Sequence, residues 1–114
     1  MIPKPSRIKR KKDFEIIFKR GKSFKNSFFI LKFLNNNLKE SRFGFVVSQK
    51  VSKKAVVRNK VRRRMSEIIK AQMAKITPGI DLVLIALPGV NKKEFPEIKE
   101  SLESALVKTK IKNV

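Results

Sequence analysis

The stretch from residue 49 to 67, QKVSKKAVVRNKVRRRMSE, constrains this chain more than any other. From about Ala55 its inward positions recur at helical spacing: Val57, Val61, Met65, Ile68 and Gln72 form one stripe. Asn59, Arg63, Ser66 and Lys70 fall on the far side, flanked by Lys60, Arg62 and Glu67. Lys50, Lys53, Lys54, Arg58, Lys60, Arg62, Arg63 and Arg64 all precede that first acid, Glu67. The segment therefore reads as an amphipathic helix with a core-facing stripe and a cationic outer face. Solvated helix faces ordinarily mix charge signs. An unrelieved run of like charges repels itself and calls for a polyanion. Asn59 sits within that face and offers both a donor and an acceptor, as base edges and 2′-hydroxyls require.

The remaining composition narrows the class. A chain of 114 residues suits one domain, residues 1–114, since domains most often run about 100–150 residues. Nine Phe supply large groups for a small core. The net charge of +20 favours nucleic acid or an anionic membrane over a neutral metabolite, and its self-repulsion makes the free fold marginal until anions bind. Cys is absent, which removes disulfides, thiolate nucleophiles and Cys-based zinc sites. His is absent as well, and with it the usual general base and imidazole ligands. Without Trp or Tyr, stacking on bases falls to Phe and Arg. No apolar run approaches the ~20 residues of a spanning helix, and no signal-peptide core opens the chain. The expectation is a soluble, cytoplasmic protein.

Taken in order, residues 1–12 form a basic arm with Lys4, Arg7, Lys9, Arg10, Lys11 and Lys12, in which Pro3 and Pro5 oppose early helix. Charge alone leaves open a disordered solubilising tail and an RNA-touching arm. Residues 13–20 predict a short helix with Phe14, Ile17 and Phe18 on one side and Gly21 as its stop. Residues 27–34 predict a strand with Phe29, Leu31 and Phe33 on one face and Phe28, Ile30 and Lys32 on the other. That second face is too apolar for bare water. Residues 42–47, RFGFVV, predict its hairpin partner, with Gly44 marking a bulge or close packing. Residues 48–54 connect to the long helix, with Ser52 as N-cap and an end near Lys75. Residues 81–87, DLVLIAL, read as a strand buried on both faces. A last helix runs from Pro96 to about Thr109. The fold class is α+β: a small single-domain αββαβα sandwich, its long helix crossing between two strands.

No catalytic set emerges. Glu94, Glu97, Glu100 and Glu103 recur every three residues, but such a series precesses around a helix, whereas the ligands of one metal must converge. It reads as a solvated face. The isolated glycines make no phosphate loop.

The pattern Lys54-x-x-x-Arg58-Asn59-Lys60-Val61-Arg62-Arg63-x-x-x-Glu67 resembles the signature of the bacterial ribonuclease P protein subunit. Asp13-Phe14-x-x-Ile17-Phe18-x-x-Gly21-x-Ser23 is similar to that family's first helix and turn, and Arg42-x-Gly44-x-x-Val47-Ser48-x-Lys50 to the strand before its basic connection. The resemblance spans nearly the whole chain in order. Three positions depart from it: Ser66 where the family commonly has Arg, Arg64 where it is often apolar or aromatic, and Lys32 where some members carry an aromatic.

The resemblance implies an αββαβα sandwich whose long helix makes a left-handed crossover. It implies a holoenzyme that removes the 5′ leader of precursor tRNA, its chemistry carried by a catalytic RNA with Mg²⁺ bound mainly by that RNA. No metal ligand and no catalytic residue is then expected in the protein. Lys53, Lys54, Arg58, Asn59, Lys60, Arg62 and Arg63 would contact the catalytic RNA. Phe14, Phe18, Phe28, Ile30, Lys32, Ser48 and Lys50 would line the cleft for single-stranded leader. Apart from the resemblance, Arg7, Arg10, Lys11 and Lys12 of the basic arm remain candidate RNA contacts on charge alone. The protein would act as a monomer within the ribonucleoprotein, with no membrane partner.

Other readings use the same charge. A small ribosomal RNA-binding protein would share the electrostatics without needing a Phe-lined cleft. A helix-turn-helix DNA binder would want a short helix before the basic one, where strand-like RFGFVV stands instead. A stand-alone nuclease lacks His and clustered acids, and a membrane-surface role conflicts with an apolar stripe needed for the core.

Overall fold

The structure is a computed structural model that describes residues 2–3 and 6–112. Lys4 and Pro5 of the basic arm lie outside the described residues. Three helices and four strands follow in the order α1 (Lys11–Arg20), β1 (Lys22–Lys25), β2 (Phe29–Asn35), β3 (Arg42–Val46), α2 (Ala55–Gln72), β4 (Ile80–Ala86) and α3 (Phe95–Lys108). This is the expected α+β sandwich with one more strand. β1, KSFK, carries a single apolar side chain, and only pairing shows it: Phe24 stands opposite Leu31, on the main-core face of β2. The turn between β1 and β2 is held by Asn26, whose Oδ1 accepts from the backbone N–H groups of Phe28 and Phe29 at 3.0 and 2.9 Å.

The sheet order is β1-β2-β4-β3, so β2 and β3 do not form the expected hairpin. β4 lies between them, antiparallel to β2 and parallel to β3. The cause is the apolar character of β4 on both faces. Leu82 and Leu84 turn into the main core and Val83 into a second core under α1, all fully buried. A strand that must lose water on both sides takes the centre of the sheet. The loop between β2 and β3 accordingly spans the start of β4: Asn36 N–H donates to Gly79 O at 2.9 Å and Ile80 N–H to Ser41 Oγ at 3.1 Å. α2 is the crossover that joins the parallel pair.

Two cores sandwich the sheet. Met65, Ile68 and Ile69 of α2 and Leu102 and Leu106 of α3 pack with Phe29 and Leu31; each such buried side chain contributes about 1.5–3 kcal/mol. On the other face Ile17 of α1 packs with Ile8 and Val83. α1 begins at Lys11, earlier than expected, and stops at Gly21. There the constraint is space rather than left-handed backbone: φ is −72°, and a Cβ would stand 2.5 Å from Ile17 O and 2.9 Å from Phe33 O. The basic arm is no loose tail where it is described. Ile2 is buried in the main core, and Arg7 bridges Phe43 alongside β3, with Ile8 N–H donating to Phe43 O at 2.9 Å.

Candidate nucleic-acid interface

α2 presents its two faces as its sequence dictates. Val61, Met65, Ile68, Ile69 and Gln72 are buried and Val57 is half-buried. Lys53, Lys54, Asn59, Lys60, Arg62 and Arg63 are exposed, and Arg58 is half-buried. Arg64, on the border of the stripe, is half-buried too. Ser52 does not cap the helix. The N-cap is Lys54, which has no side chain able to accept from the first turn, and Ser52 Oγ instead accepts from Lys54 N–H at 3.2 Å. Arg58 takes over the tethering: its Nη1 donates to Ser52 O at 3.0 Å and Lys53 O at 2.9 Å, fastening the connection to the helix. The positive end of the helix dipole thus adds to the field of Lys53 and Lys54. Farther along, Arg62 Nη1 donates to Asn59 Oδ1 at 2.8 Å.

Among the described residues, ion pairs join Arg42 to Asp13 and Asp81 and Lys99 to Glu103; none involves α2. Its outer face is therefore a cationic surface whose charges no ion pair neutralises among the described residues. No group of three or more potential metal-binding side chains converges among the described residues, Glu94, Glu97, Glu100 and Glu103 included.

A second surface lies on the α1 side of the sheet. Register places Ile30, Ile85 and Val46 side by side across β2, β4 and β3, all half-buried. Lys25 of β1 continues this row at one edge, and Lys32 stands in the next row beside Val83. α1 forms a wall: Phe14 stacks on Phe18 with centroids 6.5 Å apart, and Phe18 keeps 41% of its surface exposed. Phe14 can sit so close because residue 44 is glycine; a Cβ there would meet the ring at 2.7 Å. Arg42 holds the wall in place. Its Nε and Nη2 donate to the two oxygens of buried Asp81 at 2.9 and 2.6 Å, and its Nη1 reaches Asp13 of α1 at 3.5 Å. The hydrogen bond to Asp81 raises the Arg42 pKa above its ordinary value, against the opposing effect of burial.

Ser48 and Lys50 are exposed just beyond β3, and Lys50 N–H donates to Ser48 Oγ at 3.3 Å. They lie on the connection from Val46 to Lys53, so the two surfaces meet there. Phe28 is elsewhere. The chain bends before β2, which breaks the strand alternation, and the ring packs against the main core with Lys93 Nζ 5.7 Å from its centroid. Val46, Ile85 and Lys25 escaped the sequence reading, since their shared row exists only once the strand order is known. Of the arm, Arg10, Lys11 and Lys12 are exposed at the start of α1, whereas Arg7 lies against α2 beside Asn59 and Arg63.

The class that fold and surfaces define is a small single-domain α+β protein with a one-sided cationic helix beside an aromatic-walled sheet face. A model of the ribonuclease P protein family matches residues 2–110. A ribonuclease P protein component from Synechocystis sp. is 39% identical over 107 residues, covering 90% of this chain and 86% of the relative. One from Alkaliphilus metalliredigens is 35% identical over 106 residues, covering 93% and 95%. The solved RNase P protein of Staphylococcus aureus superimposes with a TM-score of 0.88 at 34% identity, covering 95% of this chain and 98% of that one. The chain belongs to the ribonuclease P protein family.

Proposed function

We propose that this chain is the protein subunit of a cytoplasmic ribonuclease P ribonucleoprotein that matures the 5′ end of tRNA. The observation that carries the reading is the pairing of two chemically different surfaces across residues 48–54: a cationic helix face that forms no ion pair among the described residues and a half-buried apolar row with an aromatic wall. α2 binds the catalytic RNA, with Lys53, Lys54, Lys60, Arg62 and Arg63 neutralising phosphate and Arg58 holding the connection rigid. The α1 face holds the single-stranded 5′ leader. Bases lie against Phe14, Phe18, Ile30, Ile85 and Val46 while Lys25, Lys32 and Lys50 follow the backbone, the combination of stacking and charge that single strands require.

The protein positions, and the RNA cleaves. Mg²⁺ belongs mainly to the RNA; the positive field of the chain lowers the concentration of Mg²⁺ needed to hold RNA and substrate together. A leader-length series tests this. Precursor tRNAs with successively longer leaders should bind the RNA–protein complex more tightly up to a plateau, and Phe18→Ala should flatten the series. Affinity independent of leader length in the wild-type complex would remove the cleft from the account.

A further inference from the structure

Between the arm and the outer face of α2 lies a cavity of about 480 Å³ that the leader cleft does not use. Its depth is apolar, made by buried Ile2 and half-buried Phe45. Its rim is polar and cationic, with Arg7, Asn59, Arg62 and Arg63 beside Ser66 and Glu67. A phosphate alone would suit the three arginines of the rim but would leave the apolar depth unfilled and the carboxylate unmatched. That carboxylate is the one acid of α2. Arg63 precedes it by one turn, yet no ion pair engages Glu67 among the described residues; an arginine N-terminal to its acid is the weaker orientation for such a pair. Asn59 has its Oδ1 occupied by Arg62, which leaves its amide N–H groups as donors.

We infer that this cavity takes one unpaired guanine nucleotide of the partner RNA, the identity of that partner resting on the reading above. The Glu67 carboxylate accepts from the adjacent N1–H and N2–H groups of the base in a two-bond fork, geometry that adenine and cytosine cannot match with one amino group. Ser66 donates to O6, and the base plane lies on Phe45. Asn59 and Glu67 are eight residues apart, about 12 Å along the helix axis, the span of one nucleotide from base edge to phosphate. The ribose hydroxyl and phosphate then meet Asn59 and Arg62. Ser66 gains a role here: a long arginine at that position would fill the cavity.

The test is an amide NMR titration of the full chain with guanosine, adenosine and cytidine 5′-monophosphates and ribose 5-phosphate, at constant ionic strength. Saturable shifts centred on Ser66 and Glu67, with guanosine monophosphate favoured about tenfold over the other nucleotides, are expected. Glu67→Gln should abolish the preference while the rest of the spectrum keeps its folded dispersion. Equal shifts from ribose 5-phosphate, no saturable shift at these amides, or a preference surviving Glu67→Gln would each overturn the inference. The titration needs no partner RNA, so the pocket can fail while the subunit reading stands. A wild-type chain that prefers guanine yet fails to support precursor cleavage would have the opposite meaning.

Discussion

Single side chains decide whether the proposed leader cleft stands open. Gly44→Ala pushes a methyl group into the Phe14 ring, so it should cost about 1–3 kcal/mol in urea unfolding and weaken leader binding by displacing the wall. Phe18→Ala separates function from folding. The ring is too exposed to cost the ~3–5 kcal/mol of a buried Phe, but losing one stacked base should weaken precursor binding by about 1–3 kcal/mol, with affinity for the catalytic RNA alone unchanged. Arg42→Ala leaves the Asp81 carboxylate buried without its cation and should destabilise by about 3 kcal/mol. Because the folded pKa of Arg42 is raised, its stabilisation is complete below the ordinary arginine range. It is lost only as pH climbs through the raised value, so this guanidinium contributes no pH dependence near neutrality. The Phe14–Phe18 pair could be read from spacing because it is local, whereas Gly44 suggested either a bulge or close packing and only the fold shows the Phe14 ring against it. The Arg42–Asp81 fork joins strands distant in the chain, and no local pattern announces it.

Among the elements, α2 was the most legible. Its stripe repeats over several turns, so its start at Ala55 followed from periodicity, although the body ends at Gln72 and a tighter turn, Met73–Lys75, completes it. Strand order was less legible. Hydrophobic alternation says which faces are buried but not which strand is the neighbour, and the apolar surplus of β4 was the one hint that it sits centrally. The missing cap has a measurable consequence under the proposed RNA contact. Ser at an N-cap is worth about 1 kcal/mol, so Lys54→Ser should stabilise the free protein by roughly that amount in chemical denaturation. The same change should weaken RNA binding and reduce the slope of log affinity against log salt by about 1. Both outcomes together would show a helix start tuned for an anion at the expense of stability.

At the scale of the whole molecule the charge of +20 is opposed by few ion pairs among the described residues, so anions that bind the folded form should stabilise it. Sulfate should raise the unfolding midpoint more than chloride at equal ionic strength; saturating a site at about 100 times its Kd adds about 2.7 kcal/mol. The charge and the absence of His and Cys were plain in the composition, whereas the junction of the two surfaces at residues 48–54 required the folded chain. The central claim, that this protein positions substrate for an RNA that does the chemistry, is tested most directly by precursor-tRNA cleavage at low Mg²⁺ with a bacterial ribonuclease P RNA. Stimulation by the chain that requires the RNA, is absent with protein alone and is lost in the Arg58→Ala/Asn59→Ala double variant is the predicted result. No stimulation, together with tight binding to ribosomal RNA, would contradict it.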